Sequence, residues 1–286
     1  MKLATFTRSG SDVAEIGVVT GAGIVPAPKD GATAGFDMVR LIENWDAVKA
    51  DVAAWAGEGE ALPLSSVHLL APVPRPAKML CMGLNYADHV AETGAQTPSE
   101  QIWFSKQVTA AHGPYDPIDL PRASLAVDYE VEMVVVVGKR SRHVPREKAA
   151  EVIFGYCVGN DVSARDWQRK TAQWMMGKSF DTHGPFGPWI TTADEVGDPH
   201  TLDITSKVNG EVRQSSNTRN LIFDVYDQIA ELTEVMTLEP GDVIYTGTPG
   251  GVGLGMKPPQ WLKPGDRVRC EVAKLGYIEG VMTPEQ

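Results

Sequence analysis

Apolar residues crowd one segment, Asp128-Tyr129-Glu130-Val131-Glu132-Met133-Val134-Val135-Val136-Val137-Gly138. β-Branched residues suit a pleated sheet, so the run predicts a buried strand that Gly138 ends. Strand side chains alternate faces, which points Glu130 and Glu132 the same way. Two like charges at the head of a core strand repel and are costly to desolvate. A cation between them relieves both costs, and a divalent metal is the simplest one. The alternative is a solvent-facing strand end. Asp128 shares the same face, so spacing leaves open which two are ligands.

The pattern elsewhere predicts a mostly antiparallel α+β fold. Residues 2–7, 15–20 and 23–25 read as short strands joined by Gly, Ser and Asp turns. Residues 37–55 carry Val39, Ile42, Trp45, Val48 and Val52 at near-helical spacing, which predicts one or two helices. Pro72, Pro74 and Pro76 then stiffen the chain like an inter-domain connection. Residues 1–71 are therefore expected to form a small N-terminal α/β domain, for packing or dimer support, and residues 72–286 the larger one. In the latter, 79–82 reads as a strand and 85–92 as a short helix. Residues 92–121, rich in Pro, Gly, Thr and Ser, read as a surface loop or lid. Helices are expected over 145–156, with Pro at the first turn, and over 221–236. Two Pro-Gly-Asp turns, at 240–242 and 264–266, each lead into a strand.

Bulk properties narrow the partners. The chain has 286 residues, 43% of them hydrophobic, enough for a real core. A net charge of −11 without a Lys/Arg run argues against nucleic acid and anionic membranes. It does not argue against a small anionic substrate, since local basic groups override the global field. Cys81, Cys157 and Cys270 are too few and too scattered for a disulfide framework or a CxxC zinc site. With no apolar leader and no run of about 18 apolar residues, the expected location is the cytoplasm.

Four groups of residues are candidates for chemistry. Glu130, Glu132 and Asp161, three carboxylates with no His or Cys in the set, suit a hard cation such as Mg²⁺, Mn²⁺ or Ca²⁺ rather than zinc. His89 and Glu92 stand three apart, one side of a helical turn, where a carboxylate can raise an imidazole's basicity and activate water. Most such pairs are plain helix-surface contacts. Lys178, in Gly177-Lys178-Ser179-Phe180-Asp181, could stabilise an enolate or oxyanion, although a lone lysine is usually solvated. The glycine-rich stretch 245–255 lets backbone N–H groups approach an anion, and reads either as a carboxylate-binding loop or as a structural turn. It is neither a P-loop nor a G-x-G-x-x-G fingerprint. No G-x-S-x-G elbow occurs. The remaining histidines receive no role.

Taken in order, Gly83-Leu84-Asn85-Tyr86-Ala87-Asp88-His89-Val90-Ala91-Glu92, Asp128-Tyr129-Glu130-Val131-Glu132, Asn160-Asp161-Val162-Ser163-Ala164-Arg165-Asp166, Gly177-Lys178-Ser179-Phe180-Asp181 and Thr246-Gly247-Thr248-Pro249-Gly250-Gly251-Val252-Gly253 resemble the fumarylacetoacetate hydrolase family. The resemblance implies a mixed β-roll or barrel catalytic domain, a Mg²⁺ or Mn²⁺ site with Ca²⁺ as a substitute, and a homodimer. It makes Glu130, Glu132 and Asp161 the metal ligands and passes over Asp128. His89 and Glu92 become a water-activating dyad on a lid over about 86–116, and Lys178 the group that polarises the substrate carbonyl. Arg165, Gln168 and Thr248 become contacts to substrate oxygens. Ala172 stands where relatives that take larger acylpyruvates carry tyrosine, which speaks against a fumarylacetoacetate-type pocket.

The implied reaction is hydrolysis of a C–C bond in a 2,4-dioxo acid of the acylpyruvate type, through an enolate that the metal stabilises. The products are a carboxylic acid and a 2-oxo acid. The same site could instead decarboxylate oxaloacetate, or isomerise and decarboxylate a 2-hydroxydienoate. A non-enzymatic metal-stabilised scaffold is the third reading, and the intact dyad, lysine and triad speak against it.

Overall fold

The computed structural model describes residues 1–88 and 96–286. An 11-stranded mixed sheet organises the molecule. From one edge its order is Gly23–Pro26, Glu15–Thr20, Lys2–Arg8, Gly184–Thr192, Ile153–Asn160, Val131–Val137, Val243–Tyr245, Met79–Gly83 and Ile102–Lys106. Val67–Leu69 and Ala111–His112 pair alongside. A second sheet of five strands runs Glu211–Asn217, Asp203–Val208, Arg267–Val272, Gly276–Pro284 and Ile118–Leu120. Most pairings are antiparallel, as the short connections require. The fold is thus α+β and mostly β, and its sheets are open rather than closed into a barrel among the described residues.

The Val131–Val137 strand is buried along its whole length. Its alternate residues feed two cores. Val131, Met133, Val135 and Val137 join one hydrophobic cluster, while Val134 and Val136 join another. The second cluster also takes Leu3, Val18, Leu41 and Trp55 from the first seventy residues, and Lys2–Arg8 hydrogen-bonds to Gly184–Thr192. The helices Met38–Glu43 and Trp45–Glu58 cover this side, their apolar positions inward. Both Pro-Gly-Asp turns close alike. Asp242 accepts from the Glu239 N–H at 2.8 Å and Asp266 from the Lys263 N–H at 2.7 Å.

Two expectations need correction. The helix expected over 145–156 is a single 3₁₀ stretch, Arg146–Val152, followed at once by the Ile153–Asn160 strand. The apolar run from Ile153 to Val158 is buried on both faces, which a strand inside a large sheet permits and an amphipathic helix does not. The loop expected over 92–121 is, among the described residues, interrupted by three strands. Ile102–Lys106 pairs with Met79–Gly83, Ala111–His112 with Gly184–Thr192, and Ile118–Leu120 with Gly276–Pro284. The aromatic pair Trp103-Phe104 supplies a strand's side chains, and pairing satisfies backbone groups that a buried loop would leave open. No helix among the described residues is long and apolar enough to cross a membrane.

Candidate active site

The site forms where the two central strands meet their ends. Glu132 lies in Val131–Val137, and Glu130 just precedes it on the same face as Val134 and Val136. Ile153–Asn160 runs antiparallel to this strand with Asn160 opposite Val131, so Asp161 arrives beside the two glutamates. Two bonds fix that register. The Asp161 N–H donates to the Glu130 carbonyl at 2.9 Å, and the Glu130 N–H donates to the Asn160 side chain at 3.0 Å. One carboxylate oxygen each from Glu130, Glu132 and Asp161 lies within 4.8 Å of the others, and all three residues are buried.

Three buried cations answer them. Lys178 Nζ donates to Glu130 Oε2 at 2.6 Å and to Asp161 Oδ2 at 2.5 Å. Lys106 Nζ donates to Asp161 Oδ1 at 2.5 Å and to the Val162 carbonyl at 3.1 Å. Arg165 reaches Glu130 Oε1 at 2.6 Å through Nη2, and donates from Nε to Asp128 Oδ2 at 2.9 Å. Burial pulls the Lys178 and Arg165 pKa values down, but the attraction of Asp161 and Glu130 for the lysine, and of Glu130 and Asp128 for the arginine, outweighs it. Both end above their ordinary values and stay charged.

Among the described residues, Glu132 is the member of the triad with no cation in ion-pair contact. It accepts from the Gly247 N–H at 2.7 Å. Burial, with repulsion from Asp161 and Glu130, pushes its pKa well above the usual carboxylate range, against smaller opposing pulls from Lys178 and Gly247. Counting Asp128, four carboxylates face three cations here, one net negative charge on paper. An all-oxygen donor set with surplus negative charge fits a hard divalent cation.

Local sequence explains how the supporting groups reach the cluster. The Arg165–Gln168 and Met175–Lys178 helices pack tightly, because Gly177 has no Cβ to strike the Gln168 backbone nitrogen, which one would approach to 2.2 Å. The glycine-rich stretch turns out to bind carboxylates, and they are the protein's own. Gly247, at φ +109°, aims its N–H at Glu132. The N–H groups of Gly253 and Leu254 donate to Asp128 at 2.8 and 3.0 Å. Thr248 donates its hydroxyl to the Val131 carbonyl at 2.9 Å and accepts from Gln214 at 2.8 Å.

Above the cluster opens a pocket of about 340 Å³. Glu130, Glu132, Arg165, Gln168, Lys178 and Thr248 line it, so all of these expected site residues converge there. Asp161 sits fully buried beneath them. Its apolar walls include Leu84, Phe104 and Trp174, with the Phe104 and Trp174 rings 5.5 Å apart. A larger cleft of about 750 Å³ runs past Leu125, Tyr129 and Trp261, but none of the three clustered carboxylates lines it. Chemistry, not size, picks out the site. His89 and Glu92 lie outside the described residues.

Sequence reading missed two members. Lys106 was hidden in the segment taken for a loop, and the β-forming run Ile102-Trp103-Phe104 was the signal that could have exposed it. On that strand Phe104 and Lys106 share a face, and Lys178 Nζ lies 4.9 Å from the Phe104 ring centroid. Asp128 was passed over as no ligand. It is instead the acceptor that joins Arg165 to the glycine loop.

Residues 78–283 match the family model described as fumarylacetoacetate (FAA) hydrolase C-terminal. Among curated relatives, the mitochondrial oxaloacetate tautomerase Fahd2a of Rattus norvegicus is 43% identical over 282 residues, covering 97% of this chain and 90% of the relative. Maleylpyruvate hydrolase from Sphingobium sp. SYK-6, solved with manganese(II) and pyruvate, superimposes over 100% of both chains with a TM-score of 0.83 and 35% identity. A 2-hydroxyhepta-2,4-diene-1,7-dioate isomerase from Mycobacterium marinum does so over 100% of this chain and 99% of its own, with a TM-score of 0.79 and 31% identity.

Proposed function

Because the chain belongs to the fumarylacetoacetate hydrolase family, we propose that it is a divalent-metal-dependent enzyme hydrolysing a C–C bond in an acylpyruvate-type 2,4-dioxo acid. The products are a carboxylic acid and a 2-oxo acid. The observation that carries this is the buried set of three carboxylates and three cations at and beneath the floor of an apolar-walled pocket. Glu130, Glu132 and Asp161 would hold Mg²⁺ or Mn²⁺, with Ca²⁺ as a substitute, and the ion supplies Lewis-acid polarisation of the substrate's oxygens.

The chain's own groups do the rest. Lys178, kept charged by Asp161 and Glu130, stabilises negative charge as it develops on the 2-oxo oxygen. Arg165, Gln168 and Thr248 orient the carboxylate head; the Gln168 Oε1 is already held by Arg165 Nη1 at 3.0 Å, which fixes its amide rotamer. His89, oriented by Glu92, takes a proton from water, and the water oxygen attacks the C4 carbonyl. The C3–C4 bond then breaks, and C3 leaves as an enolate that is protonated to the 2-oxo acid. The reading includes a cytoplasmic homodimer, for which three buried free thiols offer support on the compartment alone.

A second reading is favoured by the 43% identity to an oxaloacetate tautomerase across nearly the whole chain. Oxaloacetate carries a carboxylate at C4; its tautomerisation moves a C3 proton through an enolate, as does isomerisation of a related dienoate, and its decarboxylation breaks C3–C4 to leave an enolate and CO₂, none of them with an attacking water. The test is a panel of acetylpyruvate, fumarylpyruvate, a 2,4-dioxo sugar acid and oxaloacetate, with Mn²⁺ or Mg²⁺ and again with EDTA, on the parent and on His89→Ala. Metal-dependent release of two acids from a dioxo acid, lost in His89→Ala, supports the hydrolase. Loss of the oxaloacetate enol band or CO₂ release, with dioxo acids untouched, moves the assignment to the second reading. Metal-independent turnover, or none, refutes both.

A further inference from the structure

Three cationic side chains line the pocket: Arg165, Lys178 and Arg169. The first two are committed to the protein's own carboxylates. Arg169 makes no ion pair with any described residue, and it is exposed where Arg165 is buried. Its neighbour Lys170 is turned away, Nζ lying 4.0 Å from the Trp167 ring centroid. Arg169 caps the Arg165–Gln168 helix, and its N–H donates to the Arg165 carbonyl at 3.1 Å. Four residues on, it stands on the same side as Arg165, about 6 Å farther along the axis. The pocket therefore has a charged floor, apolar walls at Leu84, Phe104 and Trp174, and one uncommitted guanidinium at its mouth.

We propose that Arg169 is a specificity-determining residue that pairs with a carboxylate at the far end of the substrate. On the reading that the triad end takes the 2-oxo acid head, the enzyme then prefers a 2-oxo acid with a terminal carboxylate over the same skeleton ending in a neutral group. A planar guanidinium matches a carboxylate in two-point fashion, and the apolar walls between head and mouth offer no competing anion.

The experiment compares kcat and KM for fumarylpyruvate, which ends in a carboxylate, and acetylpyruvate, which ends in a methyl. It uses the parent, Arg169→Gln, Arg169→Lys and the control Lys170→Gln, all with Mn²⁺. Arg169→Gln is expected to lower the kcat/KM ratio of fumarylpyruvate to acetylpyruvate about 10-fold to 30-fold, mainly through KM, since a charged hydrogen bond at a solvated mouth is partly screened. Arg169→Lys should restore part of the ratio, and Lys170→Gln should leave it at the parent value. An unchanged ratio in Arg169→Gln, or the same fall in Lys170→Gln, overturns the proposal while the functional reading stands. A parent that turns over neither acid overturns both.

Discussion

Replacing Glu132 by glutamine should shift stability in opposite directions with and without a divalent ion. Glu132 is 1% exposed, accepts the Gly247 N–H, and forms no ion pair with a described residue. Its folded pKa stands well above the ordinary 4.5 because of burial and the charges of Asp161 and Glu130. A carboxyl raised in the folded state imposes no penalty below its unfolded pKa. The penalty grows as pH climbs from there toward the folded value, at about 1.4 kcal/mol per unit of separation. Metal-free parent protein should therefore lose stability as pH rises above about 4.5, and Glu132→Gln, which is isosteric and still accepts from Gly247, should remove that contribution. At pH 8 the metal-free variant should melt higher than the metal-free parent. With the ion the order reverses. A site filled at 100 times its Kd adds about 2.7 kcal/mol, and at roughly 2 °C per kcal/mol for a chain this long the parent gains about 5 °C. The variant, one ligand short, should gain far less. The assay is thermal unfolding from pH 4.5 to 8 in EDTA and in excess Mn²⁺. A variant that melts below the parent in EDTA at pH 8, or that keeps the full Mn²⁺ shift, refutes the reasoning.

Two further substitutions probe the rest of the cluster. Lys178→Met strips Glu130 and Asp161 of contacts at 2.6 and 2.5 Å in a site 2% exposed, so it should cost about 3–5 kcal/mol and roughly 6–10 °C in Tm, with at least a 100-fold loss of kcat. Parent-like turnover at normal Mn²⁺ would remove the lysine from the chemistry. Asp128→Asn presents an amide N–H₂ where Arg165 and the Gly253 and Leu254 N–H groups need an acceptor. It should lose about 2–4 kcal/mol and raise KM by loosening Arg165, while the Mn²⁺ shift persists. Equal KM in the two proteins, by steady-state kinetics, would show that Asp128 does not position Arg165.

What the sequence determined by itself was local. The two-residue period of a strand put Glu130 and Glu132 on one face whatever the strand's neighbours, and the β-branched run made that strand a core strand. Apolar spacing found the helices at Met38–Glu43, Trp45–Glu58 and Val225–Val235, and the order of five motifs identified the family before any coordinate was known. What it could not determine were the meetings between distant segments. Asp161 joins the glutamates because Asn160 pairs with Val131, a register set by two strands and not by either alone. Lys106 becomes a buried partner of Asp161 only because Ile102–Lys106 closes the sheet edge beside Met79–Gly83. The glycine loop's N–H groups could have faced any anion, and folding turned them on Glu132 and Asp128. Side-chain periodicity is fixed by covalent geometry within a few residues, whereas burial and charge pairing depend on which strands lie side by side, and only the assembled sheet decides that.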